Sequence, residues 1–503
     1  MGNFLTNFIK QKVLICIIFT LCLVAGIISF INIPIDAFPD LTNNQVQILT
    51  ESPGMAPLEV EQLVTIPIEA TINGLPKIEI VRSISKLGLS VVTVVFKDDV
   101  DIYFARQLVN ERLQTARARL PQDLNPQLGP VTTGMGEIYQ YVIEGNGYSA
   151  TDLKTLHDWE IKYQLRTVPG VNEVNTWGGQ TLEYQITLYP NKMLQYHLTL
   201  KEVFDALKNN NENFSGGIVE HVSEQYVVRG VGLVKNLDDL RNIMIKYQDG
   251  NPIYIRNVAT VEYGQALRQG ATTKDGKGEV VTGIIMMLKG ENSRIVIHRV
   301  KNKIEEISKT LPESVRIKPY YDQTLLIEQT LETVEKNLFE GSMLVIAVLL
   351  LMLGNLRASL IVTLTIPLSL MFSFMGMKAL GISANIMSLG ALDFGMIVDG
   401  SIYMVENIML RLHTSKDSNL TTFEIIQRAM REMTKPIFFG VLIITTVYMP
   451  ILSLEGMEYK MFSPMVFAVC FALLGSLLIA LILVPVLCSI FLSKDVVEKK
   501  SII

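Results

Sequence analysis

Six apolar runs, each close to the ~20 residues that a bilayer requires, constrain this chain more than any other feature. They fall at 12–32, 338–354, 358–379, 385–410, 436–454 and 463–492. One lies near the start and five crowd the second half, so the segment 33–336 folds on one side of the membrane. With 49% hydrophobic and 18% charged residues, the chain is too apolar for an ordinary soluble protein and too charged to be all membrane. The first run follows Lys10 and Lys12. It is too long for a signal-peptide core, and no small-residue cleavage pattern follows it, which makes it an uncleaved anchor. Lys10, Lys12, Arg357, Arg411, Lys416, Arg428, Arg431, Lys435, Lys494, Lys499 and Lys500 flank alternate ends of the runs. Only Lys378 and Lys460 mark the short loops opposite. The positive-inside rule then puts both termini in the cytoplasm and 33–336 outside.

The fourth run carries acids where lipid disfavours them. Residues 385–411 read NIMSLGALDFGMIVDGSIYMVENIMLR and include Asp393, Asp399 and Glu406. A charge at mid-bilayer costs roughly 2.5–3.5 kcal/mol on insertion scales, so such residues face a bundle interior and mark ion or proton paths. At 100° per residue, Asp399 and Glu406 fall within ~20° of each other, and Asp393 lies roughly 120° from Asp399. The expectation is a proton relay of Asp393, Asp399 and Glu406, with snorkelling to the interface as the alternative for Glu406. Burial raises a carboxylate pKa and a nearby cation lowers it, so such an acid can alternate between two protonation states. Gly390, Gly395 and Gly400 would allow close helix approach or a local break.

The outer segment alternates strand and helix signals. Strand-like 44–51, helical 57–72, strands 77–84 and 88–96, and a helix 101–120 capped by Asp101 give the order β-α-β-β-α of a split βαβ, ferredoxin-like module. The pattern begins again with strand 138–144, helix 151–167, a turn at Pro169-Gly170, and strands 171–177 and 182–188. A helix 293–310 and strand 314–319 complete it, one strand too many for a clean module. The four cysteines, Cys16, Cys22, Cys470 and Cys488, all lie in apolar runs, which argues against a disulfide framework or a thiolate metal cage outside. No basic stretch suggests nucleic acid, and no GxxxxGK[ST] loop points to ATP.

Several strings carry a family resemblance: IPIDAFPDLTNNQVQI at 33–48, FKDDVDIYFARQLVNERLQ at 96–114, GMGEIYQY at 134–141, VPGVNEVNTWGGQ at 168–180, and SLGALDFGMIVDGSIYMVEN in the fourth run. The chain resembles the resistance–nodulation–division (RND) efflux pumps, and within them the heavy-metal branch of the cobalt–zinc–cadmium type. The copper/silver pumps of that branch lack the DFG element. The resemblance implies an α+β membrane protein with six transmembrane helices and a large periplasmic region of two ferredoxin-like porter modules with a docking insertion. The implied divisions are 1–32 (N-terminal segment and first span), 33–135 (porter module 1), 136–189 (module 2, first part) and 190–275 (docking insertion). Module 2 and a linker helix then resume at 276–336, spans two to six occupy 337–492, and 493–503 is a cytoplasmic tail. The implied activity is proton-driven export of divalent cations of the cobalt, zinc, cadmium and nickel type across the inner membrane. The protein would use no cofactor and be a transporter rather than an enzyme. Implied partners are a periplasmic adaptor and an outer-membrane channel, in a homotrimer or with a separately encoded C-terminal half. RND pumps have two such halves, and this chain carries the acidic helix once. The alternatives are half of a multidrug pump, or a non-transporting half-pump that assembles with a complete one.

Other residues have plainer readings. The five histidines show no metal-ligand spacing and read as structural or surface groups. Methionines in the spans read as flexible filler, with a soft-metal relay as the alternative. Glu137 and Glu173 read as surface carboxylates, with contact to a hard or borderline cation as the alternative. Gly178 and Gly179 read as a tight turn. Thr421-Thr422-Phe423-Glu424 fits a capping box that opens an amphipathic helix, ended by Lys435-Pro436, with Ile425, Ile426, Ala429 and Met433 against the membrane surface.

Overall fold

The computed structural model describes residues 10–36, 40–248, 250–268, 270–390, 394–415 and 420–492. Helix α1 (Lys12–Asn32) leads into a two-residue strand, β1 (Ile35–Asp36). A first α/β module follows: β2 (Asn44–Glu51), α2 (57–72), β3 (Ile78–Lys86), β4 (Leu89–Phe96), α3 (Ile102–Arg117) and β5 (Gln127–Leu128). Alternation of buried and half-exposed residues along β2 turns Val46 and Ile48 inward, as the two-residue strand period requires. Asp101 starts α3 by accepting from the Tyr103 and Phe104 amides at 3.0 and 2.9 Å. The antiparallel sheet has the order β3-β4-β2-β5, and α2 and α3 close one core with it through Val60, Val64 and Leu113.

The second module repeats this order. Its chain runs β6 (Glu137–Gly145), α4 (150–166) and β7 (Val171–Trp177), then leaves through β8 (Leu182–Leu188). The excursion contains α5 (Leu200–Asn209), the exposed hairpin β9 (Phe214–His221) and β10 (Glu224–Gly230), and the hairpin β11 (Met244–Gln248) and β12 (Asn251–Tyr254). It returns through β13 (Ala259–Gln265) to β14 (Val281–Met287), α6 (Ser293–Ser308) and β15 (Val315–Asp322). The sheet order is β15-β6-β14-β7. The strand over 182–188, expected beside this sheet, pairs instead with β13 as a stem for the excursion, which removes the surplus strand. Gly178 and Gly179, at φ +76° and +67°, turn the chain out, and a Cβ on Gly178 would lie 2.1 Å from the Val280 carbonyl. The excursion has its own small core around Val203, Ile255 and Val258.

The remaining helices pack as a bundle with α1. Asp322 caps α7 (Gln323–Leu353), whose apolar part is Phe339–Leu351. Then come α8 (Leu356–Ala379), β16 (Ala384–Asn385), a short helical segment Ile386–Gly390, α9 (Phe394–Thr414), α10 (Thr422–Tyr448) and α11 (Gly456–Phe491). Among the described residues, four stretches are long and apolar enough to cross a membrane: α1, α8, α11 and Thr422–Ser453. Strand β16 pairs in parallel with β1, joining the approach to α9 with the entry to the first module.

Two expectations about α10 need correction. The capping box forms, Glu424 accepting from the Thr421 amide at 2.7 Å, but the helix runs through Pro436 rather than ending there. Proline forfeits one helical hydrogen bond, whereas a break in an apolar setting would orphan several backbone groups. Ile425, Ile426 and Ala429 lie buried in the bundle core, with Met433 partly buried against it, rather than against a membrane surface.

Candidate functional site

Helix α9 is two-faced. Ile397, Val398, Met404, Val405 and Ile408 are buried in the bundle, and Gly400 lets Ile437 approach to within 3.2 Å of where its Cβ would sit. The opposite stripe is Gly395, Asp399, Tyr403, Glu406 and Leu410, all exposed, at the spacing that keeps residues on one helical face. Asp399 and Glu406 therefore share the exposed face of this helix, away from the bundle core. Asp393 lies outside the described residues. Of the three glycines, Gly400 sits at a close approach, Gly395 is on the exposed stripe, and Gly390 has nothing within 4 Å of an added Cβ.

Polar contacts that spacing did not reveal fix this helix. Thr365 on α8 donates to the Ser401 hydroxyl at 3.0 Å inside the bundle. Asn407 donates to the Ala429 carbonyl at 3.2 Å and towards Glu432 at 3.4 Å. Arg411 grips both oxygens of Glu432, Nε at 3.1 Å and a terminal nitrogen at 2.8 Å, in the forked geometry that guanidinium and carboxylate favour. In the sequence Arg411 is only a marker of orientation. Its partner is 21 residues away on another helix, beyond any local pattern.

In the second module, the register aligns Glu137 on β6, Met286 on β14 and Glu173 on β7 in one row across three strands. Both pairings shift register at Met286, and in this irregular row Met286 and Glu173 are half-buried. Glu137 is exposed and accepts from Gln140 at 2.9 Å. Burial, and then the charge of Glu137, raises the hydroxyl pKa of Tyr321; burial also raises that of Tyr320, against a hydrogen bond with Thr282 and with a smaller push from Glu137. Among the described residues, no three His, Cys, Asp or Glu side chains gather to hold a metal.

His157 is fully buried in the same module and bonded at both ring nitrogens. Nε2 lies 2.8 Å from the Tyr141 hydroxyl and Nδ1 lies 2.9 Å from Thr176 Oγ1. Thr176 donates in turn to Asp158 at 2.5 Å, so His157 carries its proton on Nδ1 and accepts from Tyr141. Burial holds the imidazole below its usual pKa. For Asp158 burial works upward, but bonds from His157 and Thr176 and the Lys154 charge win and hold it at about 2. This is a closed structural network.

Known proteins share this architecture. The cation efflux system protein CzcA of Alcaligenes sp. is 47% identical over 491 residues, 95% of this chain and 46% of that protein. The cobalt-zinc-cadmium resistance protein CzcA of Cupriavidus metallidurans matches at the same identity and coverage. A crystal structure of a heavy metal efflux pump superposes with TM-score 0.87 at 37% identity, over 96% of this chain and 48% of that one. The chain spans about half the length of these relatives. The sequence profile of the AcrB/AcrD/AcrF family matches residues 4–502, across both α/β modules, the excursion and the bundle. With strand order, acid-bearing helix and whole-length profile in agreement, the chain belongs to the AcrB/AcrD/AcrF family, the RND transporters.

Proposed function

We propose that this chain is the N-terminal half of a proton-driven inner-membrane pump for divalent heavy-metal cations. One observation carries the reading: Asp399 and Glu406 lie on the exposed face of α9. An acid stripe of this kind is costly in lipid and is satisfied against a partner bundle with a water or proton path. The chain would work as a homotrimer or with a separately encoded C-terminal half that supplies the facing helices. Six spans are counted by adding α7 and α9 to the four longest apolar stretches. The two sheets, each ordered second-third-first-fourth strand in an antiparallel β-α-β-β-α-β chain, support two ferredoxin-like porter modules outside the membrane. The excursion on β8 and β13 is the docking insertion, facing an adaptor and an outer-membrane channel. Protonation of Asp399, with Glu406 and Asp393 as further relay groups, would bias repacking of α9. Glu137 and Glu173 flanking Met286 offer carboxylates and a thioether to a borderline cation, in keeping with relatives named for cobalt, zinc and cadmium.

The test is metal tolerance in an efflux-deficient bacterium expressing the chain alone and with a candidate second half, each with and without Asp399→Asn. Tolerance to zinc, cobalt or cadmium that Asp399→Asn abolishes is the expected result. Tolerance that survives the substitution removes proton coupling at Asp399. No tolerance in any combination, despite membrane insertion, removes the pump reading in favour of a non-transporting half.

A further inference from the structure

Lys460 stands at an end of the bundle where the positive-inside rule expects few cations. Its surroundings explain it. In the second turn of α11, its ammonium lies 2.6 Å from Asp98 Oδ1 and donates to the Thr42 carbonyl at 3.1 Å. Its side chain is only 18% exposed, whereas a snorkelling lysine keeps its head in water. Both acceptors belong to the first module: Thr42 on the approach to β2 and Asp98 in the turn after β4.

The module holds that turn firmly. The Lys97 amide donates to the Lys77 carbonyl at 3.1 Å, and the Lys77 side chain pairs with Asp99 at 2.6 Å. The buried Asn44 amide donates to the Val100 carbonyl, and the Thr42 amide donates to Asp40 at 3.0 Å. Adjacent aspartates thus pair with different units, Asp99 with Lys77 on the surface of its own module and Asp98 with Lys460 on the bundle.

On the other side α11 is locked to the bundle. Ser373 on α8 donates to the Ala468 carbonyl at 2.8 Å. The two helices approach so closely that a Cβ on Gly376 would lie 2.4 Å from the Phe471 ring, and one on Gly475 2.6 Å from Phe372. Helix α11 also packs on α9, where Ala480 lies 3.6 Å from the position of a Cβ on Gly400, next in sequence to Asp399. A continuous packed path therefore runs from the acid helix through α11 to the first module. The β1–β16 pairing is a second tie, between the bundle and the strand that precedes the first module.

We propose that Lys460 is the positioning residue through which movement of the acid-bearing bundle reaches the first module, by its hold on Asp98 and the Thr42 carbonyl. The proposal rests on the transport reading for its purpose, but its test does not. Amide hydrogen exchange is compared for the full chain in lipid nanodiscs, as the native protein, Asp399→Asn, Lys460→Met and the double variant. With Lys460 present, Asp399→Asn is expected to change exchange at the Lys97 and Val100 amides at least about fivefold, the lower end of typical site-to-site coupling, and less than about twofold without it. The paired backbone at Ala384 and Asn385 responds in both backgrounds, which shows that the Lys460→Met protein is folded. Lys460→Arg keeps the response. An equal response at Lys97 and Val100 with and without Lys460, or none in the native background, overturns the proposal. Either result reads the same whether or not the chain moves metal, so failure of the transport reading remains distinguishable.

Discussion

The second α/β module and the membrane bundle place their titratable groups differently. In the module, His157 is sealed from water yet bonded at both ring nitrogens, in a chain running from Tyr141 to Asp158 that lies wholly inside one fold. In the bundle, Asp399 and Glu406 of α9 point outward while Ile397, Val398, Met404, Val405 and Ile408 face in. Buried polar groups must find partners: His157 finds them inside the module, and Thr365, Ser373 and Asn407 find them inside the bundle. Asp399 and Glu406 instead lie on the exposed face of α9.

Substitutions sharpen this contrast, and the largest stability effect belongs to the closed module. The chain has two tryptophans, Trp159 and Trp177, both in that module, so their fluorescence reports its unfolding selectively. Ile161→Ala empties a fully buried site and is expected to lower stability by about 2–5 kcal/mol in denaturant unfolding followed by that signal. A loss below about 0.5 kcal/mol, the size of an ordinary surface change, would show that the core is not closed there.

His157→Phe comes next, at about 1–3 kcal/mol, because the Tyr141 and Thr176 hydroxyls lose their buried partner. Its pH signature is more specific than its size. An unfolded histidine titrates near about 6.5, and burial holds the folded group lower. The unfolded chain therefore binds the extra proton, so stability is full above about pH 6.5 and falls as pH drops towards the folded value. His157→Phe should flatten that fall. The contribution of Asp158 should persist above about pH 3.8 and be lost as pH falls towards about 2. An unchanged profile between about pH 6.5 and the acid limb would count against a neutral buried imidazole.

The smallest effect is expected on α9. Glu406→Gln alters an exposed side chain and should move stability by less than about 0.5 kcal/mol, while lowering metal tolerance if Glu406 is in the relay. Wild-type tolerance together with wild-type stability would assign Glu406 to the interface instead.

Much of the fold is legible from local pattern. The alternation in 44–51, the strand-like run 88–96 and the Asp101 cap depend on neighbours within a few residues; both strands and the start of α3 form within a residue of the expected places, while α3 ends at Arg117 rather than at 120. The extra strand at 182–188 is legible as a strand but not in its partner, because pairing with β13 closes a loop of more than seventy residues that no short window contains. Pro436 misleads because proline's local penalty is weighed without the apolar surroundings that make a helix break costlier. Lys460 looks like a stray charge because Asp98 and Thr42 lie more than three hundred residues away.

The sequence by itself determined the apolar runs, the acids within the fourth of them, and the repeated β-α-β-β-α order. These follow from hydrophobic period, capping and bilayer length, all properties of neighbouring residues. The tertiary structure alone decided that Asp399 and Glu406 face away from this chain's own bundle core, that Glu137 and Glu173 share a row with Met286, and that Lys460 ties the bundle to the first module. Each depends on which distant surfaces pack together, and packing is set by the whole buried interior rather than by any local stretch.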